Sequence, residues 1–393
     1  MPAIDRKNQF DVVVVGGGPA GSTAAYHLAG SLDVLVVDKT SFPRHKACGG
    51  ALTRCHDWPA EFPNYAEIKP HLRAHPNEHV CLYADRTPWW ECSGTHFFDH
   101  VHRYDFDDLL LRAALDKPGV SFRVFDVKSL NRLDNGLIQL SDGANVLEAR
   151  AVIGADGASS VVSRELGNPR RGENEAGACC EYHLVCDKPH EKTSVFYLWG
   201  GAPGYGWVFC AEDGYYVGVG YLGPARKRVR QYLDDLVAYC VEEGLLPREH
   251  RIQRTFGGLA PATVVDRIAD NGVLLVGDAA GFLNQLNGEG IYYAMKSGQL
   301  AGRILAERLD HSALKYRDAV KPLLREVTYL KTMRPTLLRR VLSGYLGLTG
   351  ISGTFGLDGY LKAPFVNRFF RRQDLPTESH YGKLRGKPVR RAS

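Results

Sequence analysis

The hydrophobic pattern of the chain changes period several times. Val12 to Val15 is a continuous β-branched run, the pattern of a strand buried on both faces. Ser22 to Leu28 follows as a helix, and Val34 to Val37 is a second buried run closed by Asp38. Phe106 to Leu115 carries leucines and alanines at helical spacing. Val120 to Val127 and Leu137 to Leu140 read as strands, with a turn at Asp134-Asn135-Gly136 before the second. Val152-Ile153 and Val273 to Val276 complete the buried runs. Val80 to Tyr83, Trp89 to Phe98 and much of 166–265 instead alternate aromatic and β-branched residues, which predicts a second sheet. One helix, about Lys227 to Glu243, interrupts it. Arg54 to Pro76 is rich in Pro and His and reads as an excursion with little regular structure.

Three glycine-bearing segments punctuate the buried runs. The first strand opens into Gly16-Gly17-Gly18-Pro19-Ala20-Gly21. Gly16 permits a tight turn, Gly18 lets the backbone approach a pyrophosphate, and Gly21 lets the helix pack on the strand. The helix start then offers free N–H groups and a favourable dipole to phosphate. Asp38 stands at the spacing expected of an acid that binds a ribose hydroxyl. Gly154-Ala155-Asp156-Gly157, with Ser160 and Arg164, closes a later strand, and Gly277-Asp278-Ala279-Ala280-Gly281 closes the last. Asp278 is placed to accept a hydrogen bond from a ribityl chain. Gly288-Glu289-Gly290-Ile291 opens a helix whose positive end suits the negative charge of a reduced flavin ring. The three segments in this order predict a flavin dinucleotide along a fold that the chain revisits.

Gly218-Val219-Gly220-Tyr221-Leu222-Gly223 also fits the glycine pattern, but Pro224 and a basic run follow it and no acid-capped strand does. It reads as a strand end and turn, so a nicotinamide donor has no Rossmann domain of its own here.

Composition narrows the class. The chain has 393 residues, 44% hydrophobic and 24% charged, within the range of globular proteins. No apolar run reaches the ~20 residues that span a bilayer, and the polar Met1 to Gln9 reads as no signal peptide. The nine cysteines include no CxxC pair, which argues against a disulfide framework or a zinc site and fits a reducing cytoplasm. No CxxC pair stands near the histidines, so no metal is expected; His100 and His102 read as polar strand residues or as neighbours of the flavin. The net charge of +5 is uneven: Tyr360 to Ser393 has nine Lys/Arg against two Asp/Glu. That is a basic tail on a near-neutral chain, with no basic stripe for nucleic acid. It reads equally as a solubilising end or as attraction to an anionic membrane face. Leu337, Leu338, Val341, Leu342, Tyr345 and Leu346 form a stripe at helical spacing, read as a helical cap or an amphipathic surface helix.

The fingerprint, Arg103 with Phe106-Asp107, and the two later glycine segments together resemble the flavoprotein monooxygenase superfamily. Phe42-Pro43-Arg44-His45-Lys46-Ala47-Cys48-Gly49-Gly50 resembles the Cys-Gly-Gly segment of geranylgeranyl reductases, and Gly204-Tyr205-Gly206-Trp207-Val208-Phe209 resembles their Tyr-x-Trp-x-Phe motif. The resemblance implies FAD and reduction of carbon–carbon double bonds in prenyl chains. It assigns cofactor contacts to Gly16, Gly18, Pro19, Ala20, Gly21, Asp38, Lys39, Arg103, Val127, Asp156, Gly157, Gly277, Asp278, Gly288, Gly290 and Ile291, with Cys48, Gly49 and Gly50 beside the isoalloxazine. Tyr205 and Trp207 would line a lipid tunnel. Cys48 reads as a proton donor or as a small packing residue, and Tyr205 and Trp207 as pocket or core. Two departures, Cys210 and Gln285, stand where the family shows Pro, at positions expected to face substrate.

The expected architecture is α/β: a Rossmann-like FAD lobe (1–75, 99–165, 266–310) interleaved with an antiparallel substrate lobe (76–98, 166–265). A helical segment (311–370) and the basic tail (371–393) follow. The expected enzyme is a cytoplasmic FAD-dependent oxidoreductase acting on a prenyl lipid, with peripheral contact at the inner membrane face left open. NADPH, ferredoxin or a quinol would be the donor. The alternatives are a monooxygenase or halogenase acting on an aromatic or natural-product scaffold, and a non-catalytic flavin-bearing lipid carrier.

Overall fold

The structure, a computed structural model, describes residues 8–84, 87–172, 174–187, 193–198, 204–284 and 288–328. Two eight-stranded sheets organise them. The first runs Ala269–Asp270, Val273–Leu275, Val146–Gly154, Gln9–Val15, Val34–Asp38, Val120–Val124, with the hairpin Ser129–Arg132 and Ile138–Ser141 attached beside Val146–Gly154. Its centre is parallel, with Val12 opposite both Val34 and Ala151, and Val273 opposite Val152. Val12, Val13, Val14, Val34 and Val36 are fully buried, as the continuous apolar runs require of strands covered on both faces. The helices Pro19–Leu28, Arg103–Leu115 and Ile291–Glu307 supply that cover. All three glycine segments thereby reach the carboxyl ends of adjacent strands, where open α/β sheets bind ligands.

The second sheet runs Arg251–Pro261, Ala176–Val185, Gly214–Tyr221, Gly204–Ala211, Thr193–Leu198, Ala74–Ala84, Thr87–Val101, Ala51–Thr53. It is antiparallel except where Thr193–Leu198 pairs with Ala74–Ala84. Side chains alternate across it. Tyr182, Leu184, Val208, Cys210, Val217 and Val219 form one core with Leu233, Leu236 and Cys240 of the helix Val229–Glu242. The other positions on the same strands turn toward the first sheet's loops and make the site.

Several expectations shift. The Pro-rich excursion contains the helices Trp58–Glu61 and Pro63–Ile68. Its prolines open helices: Pro59 and Pro63 occupy the first turns, where no N–H is needed. Asp57 caps the first helix, and Trp58, Phe62 and Tyr65 anchor the segment in the core. The strand expected to reach Val127 ends at Val124, and Ser129–Arg132 is a strand that the pattern did not reveal. The lobe boundary expected at 75 falls inside Ala74–Ala84, and Ala51–Thr53 already pairs in the second sheet. Helices Ser312–Ala319 and Lys321–Val327 begin the expected helical segment. The stripe Leu337–Leu346 and the basic tail lie outside the described residues. Among the described residues, no helix is long and apolar enough to cross a membrane.

Candidate active site

The fingerprint forms the first wall. Gly16 leaves its strand with φ +106°, and a Cβ there would lie 2.3 Å from the Ala155 carbonyl oxygen, so the turn admits only glycine. A Cβ on Gly21 would lie 1.8 Å from the Gly16 oxygen. Pro19 and Ala20, both buried, start a helix that has no side-chain cap. Asp38 accepts hydrogen bonds from the Gly17 N–H (3.0 Å) and the Thr40 N–H (3.1 Å), while Lys39 is exposed at the rim. Arg44 reaches across this wall. Its guanidinium lies 3.8 Å from Asp38 and 3.3 Å from Asp107. Asp107, fully buried, is held in a two-pronged pair by Arg103, each contact 2.7 Å. Arg44 belongs to the segment that carried the resemblance, and its basic charge within reach of the fingerprint was the available signal.

The middle segment is braced by its own acid. Asp156 accepts from the Ser160 hydroxyl (2.5 Å) and the Val161 and Val162 N–H groups (2.6 and 3.2 Å), so its carboxylate holds its own turn. The adjacent Gly157, at φ +79°, faces open space. Arg171, which the sequence did not single out, ties this turn to the last one by donating to the Ala158 and Ala279 carbonyls (2.8 and 3.2 Å). Val127 is buried in the first core. Gly277 opens the last turn, and Asp278 lies 3.4 Å from the Lys46 ammonium.

The two segments that carried the resemblance meet face to face. A Cβ on Gly49 would lie 2.7 Å from the Phe209 ring and 3.1 Å from the Trp207 indole nitrogen. Tyr205, Trp207 and Phe209 line up on one strand face, with ring centroids 5.3 and 6.2 Å apart. The glycine-patterned stretch 218–223 is a strand end and turn, as expected, and its glycines have a use. Gly218 pairs with Trp207, and a Cβ there would sit 2.1 Å from the indole. We expect Gly218→Ala to displace Trp207 and lower turnover at least about tenfold while FAD absorbance is retained, as a misplaced wall residue should; unchanged turnover would contradict this assignment.

The wall continues across the sheet, with Tyr216 on the adjoining strand and Cys179, Glu181 and His183 on the strand beyond it. Sequence reasoning missed Glu181, because its burial depends on partners far along the chain. It is 1% exposed, accepting from the Cys48 backbone N–H (3.4 Å) and the Trp207 indole N–H (3.1 Å). Burial drives its carboxyl up, and those bonds and nearby Arg103 only partly offset this, leaving a pKa of about 8. His100 also faces this side. It is 1% exposed, its Nε2 lies against Gly50, and neither ring nitrogen has a partner among the described residues. Burial holds it neutral, well below the usual imidazole range. His102 bonds the Tyr216 hydroxyl at 2.9 Å. One expectation is corrected: Cys210 is buried in the core beneath the helix Val229–Glu242, on the face away from this wall. Gln285 lies outside the described residues.

The fourth side is the loop before the helix Ile291–Glu307. Gly288 has φ +72°, and a Cβ there would strike the Tyr205 hydroxyl at 2.2 Å. Gly290 starts the helix without a side-chain cap, ahead of buried Ile291. Glu289 points away into a clamp, accepting from the Thr53 hydroxyl at 2.6 Å and lying 3.3 Å from His56 Nε2. His56 stacks on Tyr292 with centroids 3.5 Å apart. Burial alone would lower His56, but hydrogen bonds with Cys55 and Glu289 outweigh it and push the imidazole up to about 10. Cys55, His56 and Glu289 thus converge, although the sequence showed no metal-type spacing between them. In this geometry they tie the loop after the Cys-Gly-Gly segment to the Gly288–Gly290 loop.

These surfaces fit an FAD: two uncapped helix starts, Gly18 against the Arg44 guanidinium, open space at Gly157, and an aromatic wall beyond. Fold and site define an FAD-dependent oxidoreductase. Residues 11–86 match the FAD dependent oxidoreductase family and residues 127–317 the FAD binding domain family. A menaquinone reductase of Mycolicibacterium smegmatis is 32% identical over 362 residues, covering 86% of this chain and 87% of that protein. Digeranylgeranylglycerophospholipid reductase 3 of Methanosphaera stadtmanae is 30% identical, covering 81% of each. The crystal structure of a geranylgeranyl bacteriochlorophyll reductase-like protein of Thermoplasma acidophilum shares the fold, with a TM-score of 0.70, 23% identity, and coverage of 92% of this chain and 98% of that one. The chain belongs to the geranylgeranyl reductase family of FAD-dependent oxidoreductases.

Proposed function

We propose that this enzyme reduces carbon–carbon double bonds in a prenyl chain, carried by a quinone or a lipid. The observation that carries the reading is the meeting of Cys48-Gly49, the Tyr205–Trp207–Phe209 wall and Gly288 at the end of the dinucleotide cradle. A largely aromatic, water-excluding wall at that place suits an unactivated alkene. The similarity to relatives named for a prenylated quinone and a prenylated phospholipid supports the same substrate class.

In this reading Gly16, Gly18, Pro19, Ala20 and Gly21 cradle the pyrophosphate, Asp38 and Lys39 border the ribose, and Gly157, Gly277 and Asp278 border the ribityl chain. Arg44 and Arg103 supply positive charge beside the phosphates. Gly288, Gly290 and Ile291 present the helix start to the ring, beside Gly49, Gly50 and Cys48. When bound and reduced, FAD supplies a hydride for one alkene carbon. The protein's own part is to orient the chain, exclude water and furnish the proton for the neighbouring carbon. A prenyl substrate resides in membrane, and the basic 360–393 tail gives the chain an electrostatic reason to approach an anionic surface.

The test is anaerobic. Protein reduced with dithionite is mixed with geranylgeranyl diphosphate while flavin absorbance and lipid mass are followed. Reoxidation with a gain of two hydrogens per event is the expected result. Flavin that stays reduced until oxygen is admitted, followed by an oxygenated or halogenated product, would replace this reading.

A further inference from the structure

Reduction of an alkene needs one proton per turnover at a carbon sheltered from water. Around Glu181 stand Arg103 from its helix, Cys48 from its loop, Cys179 from the same strand and Tyr216 from the next, with the neutral His100 packed on Tyr216. His183 continues the Cys179–Glu181 row.

We propose that Glu181, on the same sheet face as Trp207 and hydrogen-bonded to both Trp207 and the Cys48 backbone, is the proton source of the reaction; this deepens the prenyl-reduction reading and rests on it. Its geometry is specific. One carboxyl oxygen takes the Cys48 backbone N–H and the other the Trp207 indole N–H, so the acid is locked to two segments that frame the candidate substrate wall. The neighbours are poorly matched to the task. Burial pushes the Cys179 thiol up to about 12 and the Tyr216 phenol higher still, while the Asp107 and Cys48 contacts keep Arg103 a cation despite its burial. Glu181, near 8, holds its proton at neutral pH and can still release it, the match that acid catalysis needs. A route to solvent begins two residues along the same strand face. His183 lies 3.0 Å from Asp213, which is 46% exposed, and its ring stacks on Tyr216 at 4.5 Å.

The balance is simple. The hydride from reduced FAD goes to one carbon, and the Glu181 proton goes to its neighbour, saturating the bond. The carboxylate then regains a proton from solvent, and an external reductant, a reduced nicotinamide or iron–sulfur protein, restores the flavin.

Two variants test this, Glu181→Gln and Glu181→Asp. On the flavoprotein without substrate, infrared spectra at neutral pH should show a protonated carboxylic acid that is missing in Glu181→Gln and that titrates near pH 8 in wild type. Mixed anaerobically with geranylgeranyl diphosphate, dithionite-reduced Glu181→Gln should reoxidise about 100-fold more slowly than wild type, with FAD content unchanged, and Glu181→Asp should recover part of the rate. Wild-type reoxidation should decline as pH rises through about 8, a limb absent from Glu181→Gln. Wild-type rates in Glu181→Gln, or an infrared spectrum lacking the acid, would overturn the proposal while leaving the alkene reading intact. A wild-type protein that does not reoxidise with this lipid would instead remove that reading, and the proton's destination with it.

Discussion

Arg103→Ala should destabilise the protein by about 3 kcal/mol and strip it of FAD. The reason lies in Asp107, which is 0% exposed and paired with Arg103 through two 2.7 Å contacts. Removing the guanidinium leaves a buried carboxylate with only Arg44, at 3.3 Å, to balance it. Breaking one side of a buried pair is costly because the other charge remains in a poor solvent. The carboxylate is also badly placed for cofactor binding. An Asp107 oxygen lies 4.0 Å from where a Gly18 side chain would begin, beside the cradle proposed for the pyrophosphate, so an uncompensated anion there repels the ligand. Arg103→Lys should recover little, since an ammonium cannot reproduce the planar two-pronged contact. Replacing both partners, as Arg103→Met with Asp107→Leu, should cost less stability than Arg103→Ala alone. Urea unfolding with flavin absorbance measures both effects. A loss below about 1 kcal/mol with FAD retained would show that Arg44 alone suffices.

The same contrast between local and long-range information decides what could be read from the chain. Val12–Val15 and Val34–Val37 were legible because a strand covered on both faces must be continuously apolar, whatever covers it. The glycines of the first turn were legible because their geometry is set within six residues. The short helices at 58–68 were not, because proline marks both breaks and helix starts, and only the burial of Trp58 and Phe62 against distant Tyr292 decides between them. Asp156 was ambiguous for a related reason. An acid after a strand can face a ligand or cap its own turn, and the Ser160 hydroxyl that captures it is equally compatible with both. Cys210 was assigned to the substrate face by a family position, yet alternation along Gly204–Ala211 turns it opposite to Phe209 and into the core. Glu181 carried no local signal. Its significance comes from Cys48, 133 residues earlier, and Trp207, 26 residues later, closing over it.

Glu181 and His56 should make the folding stability decline with rising pH over two overlapping windows, with variants that differ from wild type in opposite senses. Glu181 is raised from 4.5 to about 8, first by burial. Between those values the folded state keeps a proton that the unfolded chain has released, so stability falls as pH rises and the loss is complete above about 8. Glu181→Gln should therefore match wild type below pH 4.5 and exceed it above pH 8, by on the order of 3 kcal/mol. His56 is raised from 6.5 to about 10 because Cys55 and Glu289 outweigh its burial. Its contribution is fully present below pH 6.5 and disappears as pH passes 10. His56→Gln should be the weaker protein at low pH, by a similar amount, and converge on wild type at the alkaline end. Urea midpoints across this range separate the two. A His56→Gln deficit that widens with pH would mean that the clamp does not hold a charged imidazole, and a Glu181→Gln variant no more stable than wild type at pH 9 would mean that the buried carboxyl is not strained. The pairing of a stabilising substitution with the expected loss of turnover at the same residue is the signature of a group kept for chemistry at the expense of the fold.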